Sequence, residues 1–164
     1  MKLLPSQNRG FTLPELIVAL GIFTILAGVT SVNLLTSQRQ ATLAAVSDQL
    51  VTDLRQQQMK AMTGDRESRT VPDSYGIYFG PGSYTLFHGS VFNPSDTDNF
   101  EVDLDSNMQF INLNLADSSI IFGQESGVFS NYTATSNSFT LLNTADQTSL
   151  TFQLNRFGVI TSIH

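Results

Sequence analysis

Hydrophobic and polar positions follow three different patterns along the 164 residues. From Leu16 to Gln38 there are 23 consecutive residues without a charge, and most of Leu16 to Leu35 is aliphatic or aromatic. That length matches the roughly 20 residues a helix needs to cross a bilayer core. Beyond it, Leu43, Val46, Leu50, Leu54 and Ala61 with Met62 recur every three or four positions, the stripe of an amphipathic helix. Thr12 and Pro14 suit a helix start, and Gly64 ahead of Asp65-Arg66-Glu67 suits a C-cap. The pattern predicts one helix from about 12 to 63, then a linker over 64–74.

From Tyr75 the period shortens to that of strands. Tyr75–Phe79 and Tyr84–His88 flank Gly80-Pro81-Gly82-Ser83, a hairpin with a four-residue turn. Further strands are expected at Phe100–Leu104, Gln109–Leu115, Ser119–Phe122, Phe139–Leu142, Leu150–Leu154 and Gly158–Ile163, separated by Asn, Asp, Ser and Gly. The expected fold class is therefore α+β: a long N-terminal helix, membrane-spanning over 16–38, packed on an antiparallel β-sheet head over 75–164.

Charge sharpens this division. Residues 1–60 carry a net of +2 and residues 61–164 a net of -8, so the overall -6 hides two unlike halves. Lys2 and Arg9 precede the uncharged stretch, which places the N-terminus in the cytoplasm and the head outside. No small-x-small cleavage site follows Leu35, so an uncleaved anchor is the simplest expectation. The acidic head argues against nucleic acid as a partner. Ser, Thr, Asn and Gln make up 57 residues, while Asp, Glu, Lys and Arg together are only 13%. With 41% hydrophobic residues the chain still has enough to build a core. Zero Cys excludes disulfides, thiolate metal sites and Cys nucleophiles.

The run Arg9-Gly10-Phe11-Thr12-Leu13-Pro14-Glu15-Leu16-Ile17-Val18-Ala19-Leu20 resembles the N-terminal signature of type IV pilins and type II secretion pseudopilins. The resemblance implies that residues 1–10 are a leader cut after Gly10 by a prepilin peptidase. It also implies that the new N-terminal Phe11 is N-methylated, and that Glu15, the fifth mature residue, serves assembly. The implied partners are other pilins or pseudopilins, met through the N-terminal helix, and an assembly platform in the membrane. The implied destination is a periplasmic or cell-surface filament. The head resembles that of an H-type minor pseudopilin in its closing strand–turn–strand. Val32 stands where many major pilins have Pro, which also leans toward a minor subunit.

Glu15 has a physical argument of its own. An acid within an apolar span is costly, up to about 2.5–3.5 kcal/mol at its centre, so it needs a partner. Cutting at Gly10 would create an amine on Phe11, and a staggered neighbouring subunit could present another. The plainer alternative is that Glu15 complements the positive end of the helix dipole.

Candidate chemistry in the head is thin. His88 and His164 are the two histidines, and no nucleophile elbow, P-loop, dinucleotide fingerprint or HExxH motif occurs. The expectation is a structural subunit and not an enzyme; a ligand-binding minor pilin and a membrane-anchored receptor or enzyme are the alternatives. Asp96, Asp98, Glu101, Asp103 and Asp105 could hold calcium, though the spacing is not that of an EF-hand. A strand with Phe100, Val102 and Leu104 inward and its acids outward explains the same run without a cofactor. Asn131-Tyr132-Thr133 fits an N-glycosylation pattern that often arises by chance.

Overall fold

The computed structural model describes residues 11–66 and 70–164, with side chains described for all of these except 28–41. Gly10 and the rest of the expected leader lie outside the described residues, as do positions 67–69 of the expected linker. The architecture is α+β, a helix followed by antiparallel sheets. Helix α1 (Leu13–Thr63) precedes strands β1 (Tyr75–Phe79), β2 (Ser83–His88), β3 (Phe100–Asp103) and β4 (Met108–Leu115). After a short 3-10 turn come β5 (Ser119–Phe122), β6 (Asn137–Asn143), β7 (Thr148–Leu154) and β8 (Ile160–Ile163). By compactness the chain divides into two units, Met1–Gln38 and Arg39–His164.

The helix ends as its sequence suggests. Gly64 takes φ +62, its amide donates to the Ala61 carbonyl at 3.3 Å, and the Asp65 amide donates to Lys60 at 3.0 Å. This is the paired bonding of a Schellman motif, which satisfies two carbonyls that the last turn leaves open.

The strands form two four-stranded antiparallel sheets, ordered β3-β2-β1-β5 and β4-β6-β7-β8. Between β1 and β2, Tyr84 faces Phe79 and the Gly80 amide donates to the Ser83 carbonyl at 2.9 Å. Pairing thus reaches Ser83 and the turn tightens to Pro81-Gly82. The last strand begins at Ile160 and not at Gly158. Gly158, at φ +71, donates to the Asn155 carbonyl, and the Asn155 side chain accepts from the Phe157 and Val159 amides, which completes the turn.

In the second unit, Leu43, Leu50, Leu54 and Ala61 of α1 are buried in one core with residues of both sheets. Ile77, Phe79, Ile120 and Phe122 come from the first sheet, and Phe110, Phe139, Leu141 and Phe152 from the second. Phe139 stacks on Phe152 at 4.8 Å and lies 4.7 Å from Phe79, while Phe110 meets Phe79 edge-on at 5.1 Å. Burial of each such side chain contributes about 1.5–3 kcal/mol, and well-placed ring pairs add roughly 0.5–1.5 kcal/mol. Gly76 is fixed by this packing. A Cβ there would stand 2.6 Å from the Phe87 ring and 2.7 Å from the Ile120 carbonyl oxygen.

Two expected core positions are not core. Phe100 is 65% exposed, because β3 is an edge strand and this end of it overlies a polar cavity; Val102 and Leu104 do pack inward. Met62 is half exposed and rests against Gly127. The other edge of that sheet is closed by Asn131. Its amide nitrogen donates to the Ala116 and Ser119 carbonyls at 3.2 and 2.9 Å, and its oxygen accepts from the Ile121 amide at 3.1 Å. Asn131 therefore pairs with backbone groups along β5 as a short extra strand would, which is a structural use for the residue of the glycosylation-like pattern.

Candidate functional site

The start of α1 carries the first group of expected residues. Thr12 precedes the helix, and its carbonyl accepts from the Leu16 amide at 3.1 Å. Glu15 lies in the first turn and its Oε2 accepts from the Thr12 amide at 3.5 Å. This is half of a capping box, in which the third helical residue reaches back to the N-cap amide. Glu15 thus stands at the positive end of the helix dipole, where the Phe11 nitrogen is an amide as long as Gly10 precedes it. Phe11 itself is 83% exposed.

Behind Glu15 the helix is apolar on every side. Leu16, Ile17, Val18, Leu20, Ile22, Phe23, Ile25 and Leu26 are each between 54 and 70% exposed. At 100° per residue, these positions surround the axis and do not form a stripe. Among the described residues no helix is long and apolar enough to cross a membrane; the second half of the expected 16–38 span falls where side chains are not described.

The five acids of the calcium expectation do not converge. Glu101 accepts from the Ser83 hydroxyl at 2.7 Å, and Asp103 and Asp105 line an apolar groove with Thr42, Ala45, Val46 and Val102. Asp96 and Asp98 instead meet His88 at the end of β2. His88 Nε2 is 3.2 Å from Asp96 Oδ2 and 3.8 Å from Asp98 Oδ2, and the three ligand atoms lie within 4.8 Å of one another. On its other side, His88 Nδ1 faces Asp73 Oδ2 at 3.2 Å.

The local backbone explains this meeting. The Asp98 amide donates to Asp96 Oδ1 at 3.0 Å, which curls the loop and leaves Asp96 Oδ2 facing His88. The Asn99 side chain and the Asp96 amide both donate to the Asn93 carbonyl, so the loop is closed on itself. The Gly89 amide donates to the Ser74 carbonyl at 2.7 Å and holds the approach to β1 beside the end of β2. Asp73 is thereby brought next to His88.

A cavity of about 340 Å³ adjoins the cluster. Its walls include His88, Asp98 and Phe100 with Gln56, Gln57 and Lys60 of α1. Gln57 is only 2% exposed and its Oε1 has no hydrogen-bond partner. Next to it on the helix, Asp53 is buried at 5% exposure and accepts from the Tyr84 hydroxyl at 2.6 Å and from the Gln49 amide at 3.0 Å. Burial pushes the Tyr84 phenol well above its ordinary pKa, and the hydrogen bond and charge of Asp53 push it further.

Sequence reasoning missed Asp73, Gln57 and the Asp53–Tyr84 pair, and it gave His88 no role. The available signal was weak: a histidine ending a strand eight residues before an Asp-x-Asp pair. No curated protein and no solved structure matches the chain. Residues 5–31 match the family model of the prokaryotic N-terminal methylation motif, a stretch that takes in the exposed apolar start of α1.

Proposed function

We propose that the chain is a structural subunit, a minor pilin or pseudopilin, of a type IV pilus or type II secretion pseudopilus. A prepilin peptidase removes residues 1–10 on the cytoplasmic side, Phe11 is methylated, and the mature helix anchors the subunit in the membrane with its head outside. The subunit then leaves the membrane for the filament by exchanging lipid for neighbouring helices. Its work is mechanical, and no step requires catalysis by the head.

The observation that carries this reading is an all-round apolar helix surface within the stretch that matches the methylation motif. Lipid and a bundle of like helices are the two surroundings that cover such a surface on every side. Glu15 gives the exchange its direction. Once Gly10 is cut away, the Glu15 carboxylate gains an amine partner, on its own Phe11 or on that of the next subunit, in place of a long bond to the Thr12 amide.

Co-expression with a prepilin peptidase and an assembly platform tests the proposal. Mass spectrometry should find the chain shorter by residues 1–10 and carrying one methyl group on Phe11. Glu15→Leu should leave cleavage and membrane insertion intact and abolish recovery in sheared filaments. Failure of the peptidase to shorten the chain, or full incorporation of Glu15→Leu, would sink the assembly role.

A further inference from the structure

We infer that the head binds one divalent transition-metal ion of the zinc class, with His88 Nε2, Asp96 and Asp98 as ligands and Asp73 as the group that orients His88. The first argument is the ligand geometry. One imidazole N–H makes one good hydrogen bond, and the 3.8 Å approach of Asp98 Oδ2 to Nε2 is too long to be a second. Bonds of about 2.0–2.1 Å around a tetrahedral zinc ion put ligand atoms about 3.3 Å apart. The separations of 3.2 and 3.8 Å bracket that edge, and the third falls within the 4.8 Å that encloses the cluster.

The orientation of His88 supports the same ion. A metal-bound histidine uses one ring nitrogen and donates from the other, most often to a carboxylate. Asp73 occupies that position at Nδ1, and its second oxygen accepts from the Ser74 amide at 2.7 Å. The tautomer with a proton on Nδ1 leaves Nε2 as a bare acceptor pointing at two carboxylates, an arrangement that a cation relieves.

A separate observation points to something bound beside the cluster. The cavity that His88 and Asp98 help to line also contains Gln57, whose buried Oε1 has no partner among the described residues. A buried acceptor is costly when left unpaired. Three protein ligands leave a zinc ion with a further position for water, and that water supplies O–H donors to the cavity. Calcium is the poorer fit, because it takes six to eight oxygens and the cluster offers a nitrogen and two carboxylates. The role is that of a staple. Residues 89–99 connect β2 to β3, and in a chain without Cys the metal ties this loop to the end of β2.

The test uses the untagged full-length chain in detergent, stripped with a chelator and titrated with zinc chloride against a chromophoric competitor. The expected result is one zinc per chain, with binding lost in His88→Gln and in Asp98→Asn. Asp73→Asn should keep the stoichiometry and weaken affinity about 10–100-fold. Millimolar calcium should not displace the zinc. Asp98 is well exposed, so its variant keeps the fold and decides the matter if His88→Gln does not fold. Absence of zinc uptake by the parent chain, parent-like binding by Asp98→Asn, or displacement by calcium overturns the inference.

Discussion

Leu20 and Leu50 lie on the same helix, yet one is 56% exposed and the other wholly buried. Phe23 and Phe139 show the same contrast, at 70% and 0% exposure. The residue types are alike, so the difference lies in what surrounds them. Arg39–His164 encloses its apolar residues between a helix face and two sheets and can gain its burial energy alone. The helix start presents apolar side chains that stay exposed among the described residues. At about 25 cal/mol per Å², a partner that covered them would add favourable free energy there. One region stores stability and the other stores affinity, and substitutions should separate the two.

The largest expected effect is in the ring cluster of the head. Phe139→Ala removes the side chain that touches Phe79, Phe110 and Phe152, and should cost about 3–5 kcal/mol of stability. Denaturant unfolding followed by far-UV circular dichroism measures it, and a loss under 1 kcal/mol would mean that the head does not depend on this core. Gly76→Ala comes next. The added methyl group meets the Phe87 ring and the Ile120 carbonyl between neighbouring strands, where β1 has no freedom to shift. Overpacking of this kind should cost about 1–3 kcal/mol, and an unchanged melting temperature would show that the strands can part.

A smaller effect isolates the polar tie between helix and sheet. Tyr84→Phe deletes the hydroxyl that Asp53 accepts from, while Gln49 still serves the carboxylate. The loss should fall near the lower end of the roughly 1–3 kcal/mol expected when a buried group loses a partner. The same pair predicts an alkaline slope. The Tyr84 pKa is raised in the folded head, so between its ordinary value of 10.0 and the raised value the folded state holds a proton that the unfolded chain has lost. Stability from this group is complete below about pH 10 and declines as pH rises above it. Urea midpoints across that range should fall more steeply for the parent than for Tyr84→Phe; parallel curves would remove Tyr84 as the cause.

These features differ in how far the sequence discloses them. The helix and all eight strands were legible because each is a local pattern: an uncharged run, a stripe at three or four, or an alternation bounded by turn residues. The methylation motif was legible because it is contiguous. The division into two sheets was not, since alternation assigns a strand its two faces but not its neighbours. Asp53 and Gln57 are polar, yet with Ser47 they are buried on the docking face of the helix. What buries Asp53 is the hydroxyl of Tyr84, 31 residues away, a partner that no local window contains. The acidic run shows the converse, because residues that are near in sequence do not share one site. Alternation and the edge position of β3 disperse Glu101, Asp103 and Asp105, while the loop before them carries Asp96 and Asp98 back to His88.

The smallest expected effect on stability is the sharpest test of the contrast. Leu20→Ala shortens an exposed side chain whose surroundings in the isolated chain are solvent or detergent. Substitutions of that kind generally stay within about 0.5 kcal/mol, so the urea midpoint of the head should not move. Recovery in filaments should nevertheless fall, because the missing methyl groups are part of the surface that neighbouring helices would cover. Leu50→Ala should do the reverse: it lowers head stability by about 2–5 kcal/mol through a cavity, while the helix surface offered to neighbours is unaltered. The two variants change the same residue type to the same product on the same helix. If both lowered the midpoint equally, the helix start would be part of the folding unit, and its apolar surface would be serving the head and not a filament.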